Sequence, residues 1–229
     1  MQNQAKVNAG FSNLTSLKAY LLAAKLRATT DYDYPIQNIG LGVATTFERV
    51  CNREFAYAQN ILEVFQGDRP FWYARRAPVS IFSKVELRFF RADNWTDISG
   101  QPVGTDEEKG MIHFGYTLGK QPMQARLTYN GGFFWEQLEP TDAGYPTAVP
   151  DDIANNSAGL DPNKFMLPAD LLSAWQIQCE ITWKMRDKLG LGIVGGEPRG
   201  RGPLYAINDL DLAPVVKTIL GKYVRYQLT

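Results

Sequence analysis

Val85-Glu86-Leu87-Arg88-Phe89 alternates apolar and charged side chains one by one. Successive side chains of a strand point to opposite faces, so this stretch predicts a half-buried antiparallel strand. Outward from it, the pattern stays alternating from Phe55 to Phe134. Shorter strands are expected at Ile61–Phe65, Phe71–Ala74, Met111–Tyr116 and Ala125–Tyr129. Gly67-Asp-Arg-Pro70, Ser99-Gly-Gln-Pro102 and Asn130-Gly-Gly132 supply turn residues between or after them. The implied unit is a small antiparallel β-domain rich in aromatic residues.

Helical periodicity flanks this region on both sides. Asn13 or Thr15 can cap a helix running to about Arg27, with Leu14, Leu17, Leu21 and Ala24 on one stripe. After the turn-rich Asp31-Tyr-Asp-Tyr-Pro35, a second helix carries Ile36, Ile39, Val43, Phe47, Val50 and Cys51. A third is expected from Pro168 to Leu189, its broad stripe of Leu171, Trp175, Gln178, Ile181, Met185 and Leu189 making it the central buried element. A last short helix opens at Pro214 and ends near Arg225. Helices this short are unstable alone and must pack together. The expected fold class is therefore α+β and mainly helical: a small helical bundle with an inserted aromatic antiparallel β-domain and extended loops or arms.

Composition narrows the function. Hydrophobic residues make up 45% of the 229, enough for a sizeable core. Lys plus Arg equals Asp plus Glu at 24 each, so no global basic charge holds nucleic acid. Residues 184–229, however, hold eight Lys/Arg against four Asp/Glu, and the rest of the chain is correspondingly acidic. Glu136 to Lys164 forms an acidic excursion, which reads either as a solvated loop or as a partner-binding arm. Cys51 and Cys179 are too few for a disulfide framework and read as buried thiols. Met1 to Gly10 lacks a signal-peptide core, and no stretch is apolar enough to span a membrane, so a soluble protein made inside the cell is expected.

Motifs for catalysis are weak. Gly190-Leu-Gly192-Ile-Val-Gly195 matches a dinucleotide-binding pattern, but a helix precedes it where a strand is needed. A helix stop followed by a loop explains those glycines better. His113 is the sole histidine, and with no Cys-x-x-Cys a zinc site would rest on carboxylates. Asp106-Glu-Glu108 and Asp151-Asp152 read as solvated loop charges rather than a catalytic pair. Arg199 and Arg201, separated by glycine, can approach a phosphate backbone or simply sit in a solvated loop. The expectation is no enzyme, no metal and no cofactor.

The order of these parts resembles the head-to-tail connector (neck adaptor) proteins of tailed bacteriophages. Leu14-Thr-Ser-Leu-Lys-Ala-Tyr-Leu21 looks like that family's first helix, and Phe47-Glu-Arg-Val-Cys-Asn-Arg-Glu-Phe55 like the end of its second. Ala77-Pro-Val79 is similar to its central Pro-Val element. Ala125-Arg-Leu-Thr-Tyr-Asn-Gly-Gly-Phe133 looks like its last strand, Leu167-Pro-Ala-Asp-Leu-Leu-Ser-Ala174 like the helix start that follows, and Leu212 to Tyr226 like its closing helix. The acidic excursion is longer than the family pattern, and the β-region is large.

This resemblance implies a ring, expected to be twelvefold, beneath the portal and around the DNA channel, located in the virion neck and assembled in the host cytoplasm. Its implied partners are the portal protein, neighbouring copies, tail-completion, stopper or tail proteins, and channel DNA without sequence specificity, with no membrane. A tail-completion or stopper protein is the alternative, and an enzyme the more distant one. The expected organisation is a helical pair over 1–54, a β-region over 55–135, an acidic loop over 136–166 and closing helices with a C-terminal arm over 167–229. Lys217, Lys222, Tyr223, Arg225 and Tyr226 are the expected partner interface, and Arg199 and Arg201 the expected DNA-channel contacts. Phe71-Trp-Tyr-Ala-Arg-Arg76, Phe89-Phe-Arg91 and Phe133-Phe-Trp135 can serve contacts between subunits or fill a local core.

Overall fold

The structure, a computed structural model, describes residues 10–21, 32–66, 71–90, 92–99, 103–114, 124–133, 161–185 and 212–225. The chain divides into two compact units. One holds the described residues up to Asn52 and from Leu167 onward, and the other those from Arg53 to Met166.

The first unit contains α1 (Leu14–Leu21), α2 (Asp33–Cys51), α3 (Ala169–Lys184) and α4 (Pro214–Leu220). Asn13 starts α1, its Oδ1 accepting the Ser16 N–H at 2.7 Å, which satisfies one orphan donor of the first turn. Ile36, Ile39, Val43, Phe47 and Cys51 bury one face of α2. Val50 does not belong to that face; it is exposed, because one step back from Cys51 turns the side chain about 100° around the axis. Asn52 ends the helix in the left-handed region, φ 49°, with its N–H on the Arg49 and Glu48 carbonyls.

Trp175 of α3 is fully buried and donates its indole N–H to the Gly40 carbonyl at 3.0 Å. Phe11 packs between Phe47 and Trp175, 5.9 Å from each ring. That approach depends on Gly10, whose φ is +109° and where a Cβ would fall 2.9 Å from the Gly40 carbonyl oxygen. Met185 at the end of α3 is exposed, and Leu189 lies outside the described residues.

Among its described residues the second unit holds seven strands: β1 (Ala58–Gln66), β2 (Phe71–Tyr73), β3 (Val79–Arg88), β4 (Thr96–Asp97), β5 (Val103–Asp106), β6 (Met111–Phe114) and β7 (Gln124–Gly131). They form two antiparallel sheets, ordered β1-β7-β3-β4 and β2-β6-β5. A core of Trp72, Val79, Val85, Leu87, Ile112, Ala125, Leu127 and Tyr129 fills the unit. Gly132, φ +108°, follows β7 where a Cβ would lie 2.4 Å from the Ala56 carbonyl oxygen, so the chain crosses closely there.

The fold is α+β, but the expectation of a mainly helical chain is corrected. Strand is nearly as abundant as helix among the described residues, because the β-unit contributes two sheets where five strands were legible.

Candidate interaction surfaces

The closing helix is built from the inside out. Val216 and Leu220 are buried against their own unit, and Leu212 just ahead is buried too. The Ala213 N–H reaches Gln178 Oε1 at 3.1 Å, which fixes the entry to α4 on the buried side of α3. Beyond α4, the Arg225 N–H donates to the Cys51 carbonyl at 2.9 Å. Val215, one of the apolar residues of this segment, faces outward.

The polar residues of the expected partner interface have defined places. Lys217 is exposed on α4. Lys222 Nζ lies 3.0 Å from Asp170 Oδ2, and the Tyr223 hydroxyl donates to Asp170 Oδ1 at 2.5 Å. Burial works to raise the Asp170 carboxyl, yet the hydrogen bonds from Tyr223 and Lys222 outweigh it and hold the group below its usual value. Asp170 also sits in the first turn of α3, where a negative charge suits the helix end. The structure thus brings Lys222 and Tyr223 together on one carboxylate. Arg199, Arg201, Tyr226, Arg91, Phe134 and Trp135 lie outside the described residues, as does nearly all of the acidic excursion.

In the β-unit the charged face of Val85–Phe89 is more than a solvated surface. Glu86 is buried, with Arg126 Nε 2.7 Å from one oxygen and Lys84 Nζ 2.8 Å from the other. The Arg126 hydrogen bond is the main reason its carboxyl lies below the ordinary value. The Trp95 ring lies against the guanidiniums of Arg88 and Arg126, 4.4 and 4.6 Å from its centre. On the opposite face Glu63 accepts from the Arg75 N–H at 3.0 Å and from the Tyr129 hydroxyl, whose own oxygen takes the Arg76 N–H at 3.1 Å.

The aromatic runs divide by position. Trp72 and Phe133 are buried in their own unit, Phe71 and Tyr73 are half-buried, and Phe89 and Phe90 stand exposed. Leu62, Val64 and Ile81, which the sequence did not single out as surface, share the outward face of the four-stranded sheet. Only knowing which strand ends the sheet could have revealed them. Among the described residues no group of three His, Cys, Asp or Glu side chains is placed to hold a metal ion. No helix among them is long and apolar enough to cross a membrane.

Neither a known protein-family model nor a curated protein matches this sequence. Two solved structures do share its fold. One, described as the neck of an empty GTA particle computed with C6 symmetry, matches with TM-score 0.50 and 12% identity, covering 94% of this chain and 90% of its own. The other, the virion of a native gene transfer agent particle, matches with TM-score 0.50 and 10% identity over the same shares. At these identities the likeness is one of fold.

Proposed function

We propose that this chain is a structural protein of a phage-like particle neck, a head-to-tail connector that forms a ring beneath the portal and around the DNA channel. The observation that carries the reading is the fold likeness to chains of a particle neck over 94% of the chain. The order of the sequence motifs supports it independently. On this reading the chain needs no catalytic residue or cofactor; it works by presenting surfaces to neighbours.

The partner surface we assign is the C-terminal one, Lys217, Lys222, Tyr223 and Arg225 with Tyr226 next in sequence, facing the portal. Arg199 and Arg201 would meet channel DNA through charge alone, without reading sequence. The organisation into a helical pair (1–54), β-region (55–135), acidic loop (136–166) and closing helices (167–229) belongs to the same proposal, as does assembly in the host cytoplasm.

Electron microscopy of the purified protein mixed with the portal ring of the same particle tests it. A ring of this protein stacked on the portal is the expected image, and its symmetry gives the copy number. Binding to the tail tube and not to the portal would make it a tail-completion or stopper protein instead. Monomers that bind neither would overturn the neck reading.

A further inference from the structure

Two apolar surfaces of the β-unit serve no part of its core. Leu62, Val64 and Ile81 are 55, 52 and 46% exposed. Leu62 pairs with Thr128 and Val64 with Arg126, while Ile81 pairs with Asn130, so all three side chains fall on one face of the sheet. Phe89 and Phe90, 56 and 59% exposed, stand just past the end of β3. Val64, the member of the face nearest the tip, shares its row with Arg126 and Glu86. β7 lies between β1 and β3, and β3 runs on two residues to Arg88 before the two phenylalanines, so tip and face lie apart. The turn that displays the phenylalanines is pinned. The Phe90 N–H donates to Asp93 Oδ2 at 2.9 Å, and the Asp93 N–H returns to the Phe90 carbonyl at 3.0 Å.

A head-to-tail contact needs two different surfaces on one chain, and where its rotation closes it produces a ring. We infer that the Phe89–Phe90 turn of one copy packs on the Leu62, Val64 and Ile81 face of the next. This inference rests on the ring reading above. Five half-exposed side chains fall well short of the roughly 800 Å² per partner that a standard stable interface buries. Such a contact is weak between two free copies and holds when each copy makes it twice in a closed ring. That is why the occupant is a second copy rather than an independent partner, which would need a larger surface.

Cysteine trapping tests the contact against a quiet background, since Cys51 and Cys179 are both buried. The doubly substituted Val64→Cys/Phe90→Cys protein, oxidised at a concentration where the unsubstituted protein forms rings, should give a ladder of disulfide-linked multimers on a non-reducing gel. Val64→Cys and Phe90→Cys proteins mixed together should stop at dimers, and each alone should stay monomeric. Rings without a ladder from the double variant, or dimers of Val64→Cys with itself, would overturn this contact and leave the ring reading standing. An unsubstituted protein that forms no rings, alone or with portal, would sink the ring reading and this contact with it.

Discussion

Among the described residues Trp175 is the largest of the fully buried side chains, and it ties α3 both to α2 and to the segment ahead of α1. Its ring packs against Phe11, and its N–H satisfies the Gly40 carbonyl. Replacing it by alanine removes the ring, opens a cavity and takes away the indole's hydrogen bond to the Gly40 carbonyl. The expected cost is about 3–5 kcal/mol, measurable by urea unfolding followed through far-UV circular dichroism. A change of a few tenths would show that the helical unit does not depend on this contact. Glu86 makes a pH-dependent contribution. Its carboxyl is depressed in the folded state by Arg126, against the opposing effect of burial, with Lys84 adding to the lowering. A depressed carboxylate stabilises the fold above the unfolded value of about 4.3, and that contribution is lost as pH falls through the lower folded value. Glu86→Gln should therefore be less stable than the parent at pH 7, with the difference narrowing as the pH falls below about 4. Parallel stability curves over that range would refute the assignment.

At the scale of elements, α2 carries a glycine that its own unit does not require. Gly42 faces solvent, and a Cβ there would meet nothing within 4 Å. Gly42→Ala should stabilise the helical unit by about 0.5–1 kcal/mol, by reducing the freedom of the unfolded chain. A destabilised variant would mean that another surface already lies against this helix. The helices were legible because their apolar residues recur at three and four, and of the two candidate caps of the first, Asn13 and Thr15, it is Asn13 that caps it. Of β3, only Val85–Phe89 was legible, although the strand begins at Val79. Register shifts between Val79 and Ile81 and between Phe82 and Lys84 break the alternation upstream, so no period of two survives to be read. β4 and β5 are two and four residues long and carry a single large apolar residue, Val103, between them. They exist because neighbouring strands offer hydrogen bonds, a tertiary fact with no local signature. Gly131 was expected in a turn, yet β7 runs through it, since there the chain needs close backbone approach.

For the whole molecule, the chain is neutral but its charge is unevenly placed, with a net of +4 over residues 184–229. The sequence showed that imbalance; it did not show Asp170 as the shared partner of Lys222 and Tyr223, because 52 and 53 residues separate them. The apolar residues Val216 and Leu220 hold α4 to its own unit, so a partner must be engaged through what remains outside. Lys217 and the exposed side of Lys222 are the cations in that position. An exposed ion pair such as Lys222 with Asp170 contributes only about 0–1 kcal/mol. Lys217→Glu with Lys222→Gln should therefore change unfolding stability by less than about 1 kcal/mol. Portal binding should respond far more strongly, because surface cations steer and hold an acidic partner over the Debye length of about 8–10 Å. Co-sedimentation with portal at low and high salt reads both effects: the parent should bind well at low salt and lose affinity as salt rises. The variant should bind weakly at every salt concentration. If the variant binds as the parent does with the same salt dependence, the C-terminal surface is not the portal contact and the proposed contact must lie on another face.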